Sequence, residues 1–392
     1  MRAASGYGFG VMAMVCARVL VTSISSLVLM LGSGCSDKTK NAGNTRAGKT
    51  DSGKQAKPAG DERDQPKTGW TWTLPKGQSE PPTVPADNPM SAAKVELGHQ
   101  LFMDKRLSGD GSRSCYSCHQ NELGGADGRP LALGAGDKPL SRNTPTIWNV
   151  GYHKSGLYWD GRSATLEIQA TGALAGGNMG VGKDKLAAKA QEIAGLPEYA
   201  KQFVAVFGLK DKTEVTIEHV TKALSAYERT LLCGDTAFDK GELSEAAQRG
   251  WDLFRGKASC TTCHAGDNFS DGAFHNVGLS HDSAGKLLAD ADLGRGKPSK
   301  NVVDNYKFRT PTLRAVGQTA PYFHNGSVET LEEAVRYMAG GGNAKAPGLD
   351  QNLRDTQLTD AEIADLVEFL RALDCDQTQK VIGDQKVVGI PK

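Results

Sequence analysis

Apolar positions change register several times along the chain, and each change marks an element. The first is an uncharged run from Val19 to Leu31, placed after Arg2 and Arg18 and before small residues that end at Cys35. Its 13 residues are too few to cross a hydrocarbon core of about 30 Å as a helix, so 1–35 reads as an export signal. From 36 to 68 there is no aromatic residue and no Val, Leu, Ile or Met, which predicts a flexible tether. Met90, Ala93, Leu97, Leu101 and Phe102 then follow helical spacing, and 124–161 is a loop stretch rich in Gly, Pro, Asn and Asp. In "VTIEHVTKALSAYERTLL" one face carries Ile217, Val220, Leu224 and Leu231, and a domain boundary is expected near Asp235. A helix around "EAAQRGWDLFRG" opens the second half. Thr330 with Glu333 and Thr359 with Glu362 have capping-box spacing, ahead of stripes at Leu331, Ala334, Val335, Met338 and at Ile363, Leu366, Val367, Leu370. Alternating strand patterns are almost absent. The pattern predicts a mainly α chain of two similar domains, 69–235 and 236–392, with long loops and little β structure.

Composition narrows the partners. A formal net charge of +1 over 392 residues supplies no basic field for nucleic acid. With 47 glycines and 6% aromatic residues, the chain suits loops wrapped around something other than its own side chains.

The candidate chemistry lies in two short strings. "SRSCYSCHQ" holds Cys115, Cys118 and His119, and "KASCTTCHA" holds Cys260, Cys263 and His264. Cysteines at i and i+3 followed directly by histidine can bond the two vinyl groups of a haem while the imidazole reaches the iron. Zinc is the rival for any CxxC, but zinc ribbons place their pairs about 15–20 residues apart, whereas 141 residues separate Cys118 from Cys260. A thioredoxin-like redox pair would need a βαβ context that is missing. Two covalently bound c-type haems are therefore expected. Cys233 and Cys375 remain in the body, and an oxidising compartment favours a disulfide between them over two separately buried thiols. Met338 is a candidate sixth ligand of the second iron, with Tyr337 a weaker one, although a methionine on an apolar helical face is also ordinary core. Small residues leading to Cys35 resemble a lipoprotein cleavage site with Cys35 lipidated; ordinary cleavage near Gly34 is the alternative.

"VELGHQLFMDKRLSGDGSRSCYSCH", "RNTPT", "YWDGR", the second CxxCH, "TAPYFHNGS" and "TLEEAVRYM", in that order over about 89–374, resemble the bacterial dihaem cytochrome c peroxidases and their MauG relatives. The resemblance implies two cytochrome c-like domains, each enclosing one haem, with His119 on the peroxide-reactive iron and His264 and Met338 on the electron-transfer iron. It places Trp159 between the haems and Gln169 near bound peroxide. It also implies one calcium ion, held by Asn143, Thr319 and Pro321. The implied partners are hydrogen peroxide, a small cytochrome c or cupredoxin as electron donor and, in the MauG-like case, a protein substrate. A homodimer is a further expectation. The implied location is the periplasm, with membrane contact only through a lipid anchor.

Two departures from the family pattern bear on the reaction. Many relatives carry a gating histidine sixteen residues after the first haem-ligand histidine, where this chain has Ala135, so the first iron is expected to stand open. The family's distal glutamate falls at Asn178 or Met179, neither of which carries a titratable carboxyl, leaving Asp184 or water to move the proton. Three readings follow: a peroxidase, a MauG-like oxidase of Trp or Tyr on a partner protein, and a pure electron carrier. Of the other histidines, His99, His219 and His281 are expected to face solvent. His153, His275 and His324 are expected in loop or supporting positions, with His153 able to swing to the open iron. Trp251 is expected in the core beside the second haem.

Overall fold

Ser91 starts the first helix by accepting a hydrogen bond from the Lys94 backbone N–H, and α1 runs Ala92–Met103 with Leu97, Leu101 and Phe102 buried. The structure, a computed structural model, describes residues 70–375. The expected export signal, the tether and Cys35 lie outside the described residues. Four more helices follow in the first half: α2 Leu166–Ala175, α3 Leu186–Gly195, α4 Pro197–Phe207 and α5 Ile217–Glu228. The second half adds α6 Ala237–Lys240, α7 Glu245–Arg255, α8 Gly296–Ser299, α9 Leu331–Ala339 and α10 Asp360–Arg371. Strand structure among the described residues is one antiparallel pair, β1 Phe274–His275 with β2 Phe308–Arg309. The chain is mainly α.

Both predicted capping boxes close. Thr330 and Thr359 each accept from the N–H three residues on, and the Glu333 and Glu362 carboxylates reach back to the cap N–H. Helices α2, α3 and α4 were not anticipated from the spacing of apolar positions. In α2, with sequence LEIQATGALA, apolar side chains are spread around the axis and Ile168 is exposed, so no stripe marks it.

The two halves repeat one packing motif. In the first, α1 crosses α5 at Gly98, where an added Cβ would lie 2.0 Å from the Ala223 carbonyl oxygen and 2.9 Å from Tyr227. In the second, α7 crosses α10 at Gly250, where an added Cβ would lie 2.0 Å from the Asp365 carbonyl oxygen and 2.8 Å from Phe369. Each glycine lets two backbones touch just ahead of a CxxCH string, and each faces a residue followed one turn later by an aromatic ring. Two apolar clusters grow from these crossings: one around Leu97, Phe102, Ile193, Phe203 and Leu224, the other around Phe254, Phe269, Leu366 and Phe369. Trp251 packs against the second cluster, 5.1 Å from Phe369 and 5.1 Å from Phe238.

Two histidines expected in water are buried. His99, 1% exposed, lies on the inner face of α1 against the Tyr227 ring at 4.9 Å, and burial holds its imidazole below the usual range. His281 packs its ring edge-on to Tyr306 at 5.2 Å. A ring stacked on an aromatic neighbour behaves as an apolar plate, which spacing alone does not reveal. His219 is half-buried at the start of α5, where its Nδ1 accepts from the Thr216 N–H at 3.0 Å.

Candidate active site

Each CxxCH string folds as a single tight turn. Cys115–Ser117 and Cys260–Thr262 are 3₁₀ turns, and the following backbone bonds bring His119 N onto the Cys115 carbonyl at 3.1 Å and His264 N onto the Cys260 carbonyl at 2.9 Å. The imidazoles are oriented alike. His119 Nδ1 donates to the Gly125 carbonyl at 2.9 Å and His264 Nδ1 to the Phe269 carbonyl at 2.8 Å. A carbonyl can only accept, so in each ring Nδ1 carries the proton and Nε2 keeps its lone pair for a metal. Burial pushes both imidazoles down from the usual range, which keeps that lone pair free. Among the described residues the four CxxCH cysteines are thiols, outside any disulfide.

Two cavities open onto these turns. The first is lined by Cys115, Cys118 and His119, with Gln169 of α2 and the Asn178–Met179 loop on its wall. The second is lined by Cys260, Cys263 and His264, with Met338 of α9 on its wall. Trp159, His153, Asn143 and Arg309 line both. The Trp159 indole N–H donates to the Asn143 carbonyl at 2.9 Å, and the Trp159 carbonyl accepts from the Arg309 backbone N–H at 2.8 Å. The indole between the cavities is thus held at ring and backbone. Tyr337 turns away: its hydroxyl donates to the Val277 carbonyl at 2.7 Å.

Arg309 tests the fit of a haem. It is 5% exposed, its Nε is buried without a partner, and Nη1 donates to His153 Nδ1 at 3.1 Å. No carboxylate pairs with it among the described residues, and burial pushes its guanidinium down to about 10. A buried cation on the wall of both cavities calls for an anion that the described residues do not supply. Haem propionates have that charge, so thiols, free Nε2 atoms and Arg309 together fit a c-type haem in each cavity. Zinc fits less well. Cys263, Asp271 and His275 bring ligand atoms within 4.8 Å of one another, but both His275 nitrogens are already engaged, with Asp350 at 2.6 Å and Asp271 at 3.0 Å.

The two departures have structural settings. Ala135 sits in the 135–137 turn, and its N–H donates to the Gly177 and Asn178 carbonyls, both at 3.1 Å. The turn where the resemblance implies a gating ligand is here fastened to the loop where it implies a carboxylate. Asp184 lies in the exposed turn 183–185. Met179, 5% exposed, and His153 are the other side chains on the first wall with a haem-ligating sulfur or imidazole. Because Arg309 must donate to His153 Nδ1, the proton of His153 is on Nε2, and burial followed by the Arg309 charge keeps the ring neutral. His324 stacks on Phe308 at 3.5 Å, in a supporting position. Asn143 Nδ2 lies 3.3 Å from the Pro321 carbonyl, and Thr319 lines the same cavity. Cys233 and Cys375 form a disulfide. Missed by the sequence reading were Arg309 and Glu228, both on the cavity walls. Their signal is burial, which single-sequence patterning does not carry.

Fold and sites define a class: an α-helical c-type cytochrome with two haem-binding turns facing a shared tryptophan. Comparison with known proteins narrows it. The family model for di-haem cytochrome c peroxidase matches residues 92–247, and that for cytochrome c matches 247–374. The chain is 41% identical over 342 residues to cytochrome-c peroxidase IdrP1 of Denitromonas iodatirespirans, covering 79% of this chain and 88% of that one. It is 37% identical over 298 residues to methylamine utilization protein MauG of Methylorubrum extorquens, covering 74% and 80%. A solved MauG-like protein associated with microbial copper homeostasis superposes with a TM-score of 0.74 at 33% identity, covering 80% of this chain and 99% of that one. This chain belongs to the di-haem cytochrome c peroxidase and MauG family, and it is an oxidoreductase.

Proposed function

We propose that this protein is a periplasmic di-haem peroxidase that reduces hydrogen peroxide to water with electrons from a small cytochrome c or cupredoxin. When bound, the haems supply iron for peroxide reduction and for holding electrons. Cys115, Cys118 and His119 hold the first, and Cys260, Cys263, His264 and Met338 the second. Met338 carries the assignment, because a thioether on the second wall suits an electron-accepting site and closes that side to substrate. The reading gives Trp159 the transfer of charge between the sites, supported by its lining both cavities. Gln169 offers its amide to peroxide in the first cavity. Asn143, Thr319 and Pro321 are the proposed calcium site, which requires the Asn143 amide to present its oxygen. Export, a lipid at Cys35 and a homodimer complete the reading.

A MauG-like role on a protein substrate is the second reading, favoured by Ala135: a gating loop without a ligand and fastened at 177–178 leaves the first cavity open in the oxidised protein. Stopped-flow absorbance of the oxidised holoprotein mixed with stoichiometric hydrogen peroxide tests both. A rapid Soret change, followed by recovery when a reduced small cytochrome c is added, is the expected result. No change would sink the open-site peroxidase. A change that recovers only when a protein with oxidisable Trp or Tyr is supplied would favour the second reading.

A further inference from the structure

Peroxide reduction takes up two protons with its two electrons, yet Asn178 cannot carry a proton to the first cavity. Other carboxylates on that wall are engaged or wet. Asp160 pairs with Arg142 at 2.8 Å and Arg162 at 3.0 Å, Asp292 pairs with Arg142 at 2.6 Å, and Asp290 is exposed. Glu228, the last residue of α5, differs. It is 6% exposed on the same wall, and its Oε2 is buried without a hydrogen-bond partner. Its neighbour Arg229 does not serve it: Arg229 Nη1 and Nη2 clasp Glu167 of α2 at 2.8 and 3.2 Å, and Nε donates to the Thr83 carbonyl at 3.0 Å. The groups acting on Glu228 are Arg229, which favours its charge, and Glu167, which opposes it. Tyr227 and the haem-attaching Cys115 also sense the Glu228 charge, and across α1 lie His99 and Glu96, which address Tyr227. Burial dominates and pushes the carboxyl up to about 8.

We propose that Glu228 is the proton-binding partner of the first haem, taking one proton from solvent when that iron gains an electron and releasing it when the electron leaves. An added electron puts negative charge into a poorly polarisable cavity, where it opposes a carboxylate and favours the neutral acid. The coupling is reciprocal: protonation of Glu228 makes reduction of that iron easier by the same free energy. The electron comes from the donor to the second site and the proton from water, so each electron delivered to the first site after peroxide has reacted brings with it one of the two protons that water formation consumes. This assignment rests on the peroxidase reading.

The test is a spectroelectrochemical titration of the holoprotein at a series of pH values on both sides of about 8, where burial places this carboxyl. The first-haem potential of the wild type is expected to fall with pH, approaching the 59 mV per tenfold change of a one-electron couple. Glu228→Gln, close in shape and unable to titrate, should remove that dependence and leave the second-haem potential unmoved; Glu228→Asp should retain it. Reduced-minus-oxidised infrared spectra should show the carbonyl stretch of a protonated carboxylic acid in the wild type and not in Glu228→Gln. An unchanged pH dependence in Glu228→Gln overturns the assignment. If that variant fails to take up haem, absence of the infrared band in the wild type overturns it instead. A wild type with the pH dependence and the band but inert to peroxide keeps Glu228 and removes the peroxidase reading.

Discussion

The side chains of Arg314 and Asp239 are both 1% exposed, and their fork is complete: Nη1 to Oδ2 at 2.7 Å and Nη2 to Oδ1 at 2.9 Å, with Nε donating to the Asp267 carbonyl and Nη2 also to the Gly77 carbonyl. Such a pair costs desolvation on both sides, so its presence alone says little about stability, but removing one partner leaves a buried charge. Arg314→Ala should therefore lower the unfolding free energy by about 3–5 kcal/mol in a denaturant titration. Arg314→Lys should recover only part, since an ammonium cannot reproduce the planar fork. The pH dependence has a definite sign. Burial pushes the Asp239 carboxyl up, but the Arg314 fork and Thr236 outweigh it and hold the group below its ordinary 3.8. Its contribution is present above that ordinary value and is lost as pH falls through the lower folded value. In Arg314→Ala that acid-side loss of stability should disappear.

Between helices, Gly98 and Gly250 do the same work in the two halves. Replacing either by alanine puts a Cβ 2.0 Å from a backbone oxygen of the facing helix, so the helices must separate. Gly98→Ala is expected to cost about 3 kcal/mol by overpacking, because the added Cβ meets backbone rather than a flexible side chain, against about 1 kcal/mol gained from helix propensity, and a lowered melting midpoint checks it. Helices with one apolar stripe and a cap were legible in the sequence, as α1, α5, α9 and α10 show. So were the two haem turns, whose ligands lie within five consecutive residues. What escaped depends on contacts distant in sequence. Gly98 looks like an ordinary helix defect until Ala223 is placed against it, and His99 looks polar until Tyr227 covers it. Arg309 looks like one surface charge among 46 basic residues until β2 carries it between the cavities.

At the scale of the whole molecule, the ends of the two halves are tied near one point. The disulfide joins Cys233, just past α5, to Cys375, just past α10, across 142 residues. Closing a loop of that length in the unfolded chain removes much of its freedom, and loss of such a bridge costs about 2–5 kcal/mol. Native hydrogen bonds hold the same corner independently. Asn149 Oδ1 accepts from the Cys233 N–H at 2.7 Å, Asn149 Nδ2 donates to its carbonyl at 3.0 Å, and Gln318 Nε2 donates to the Cys375 carbonyl at 2.9 Å. The double variant Cys233→Ser/Cys375→Ser is therefore expected to keep its haem spectrum and peroxide response at 25 °C while its unfolding midpoint falls. Both follow from one argument, because the bridge acts mainly on the unfolded ensemble and the asparagine and glutamine act on the folded corner. A variant that lost the peroxide response at room temperature without unfolding would show instead that the bridge sets the spacing of the two haem sites.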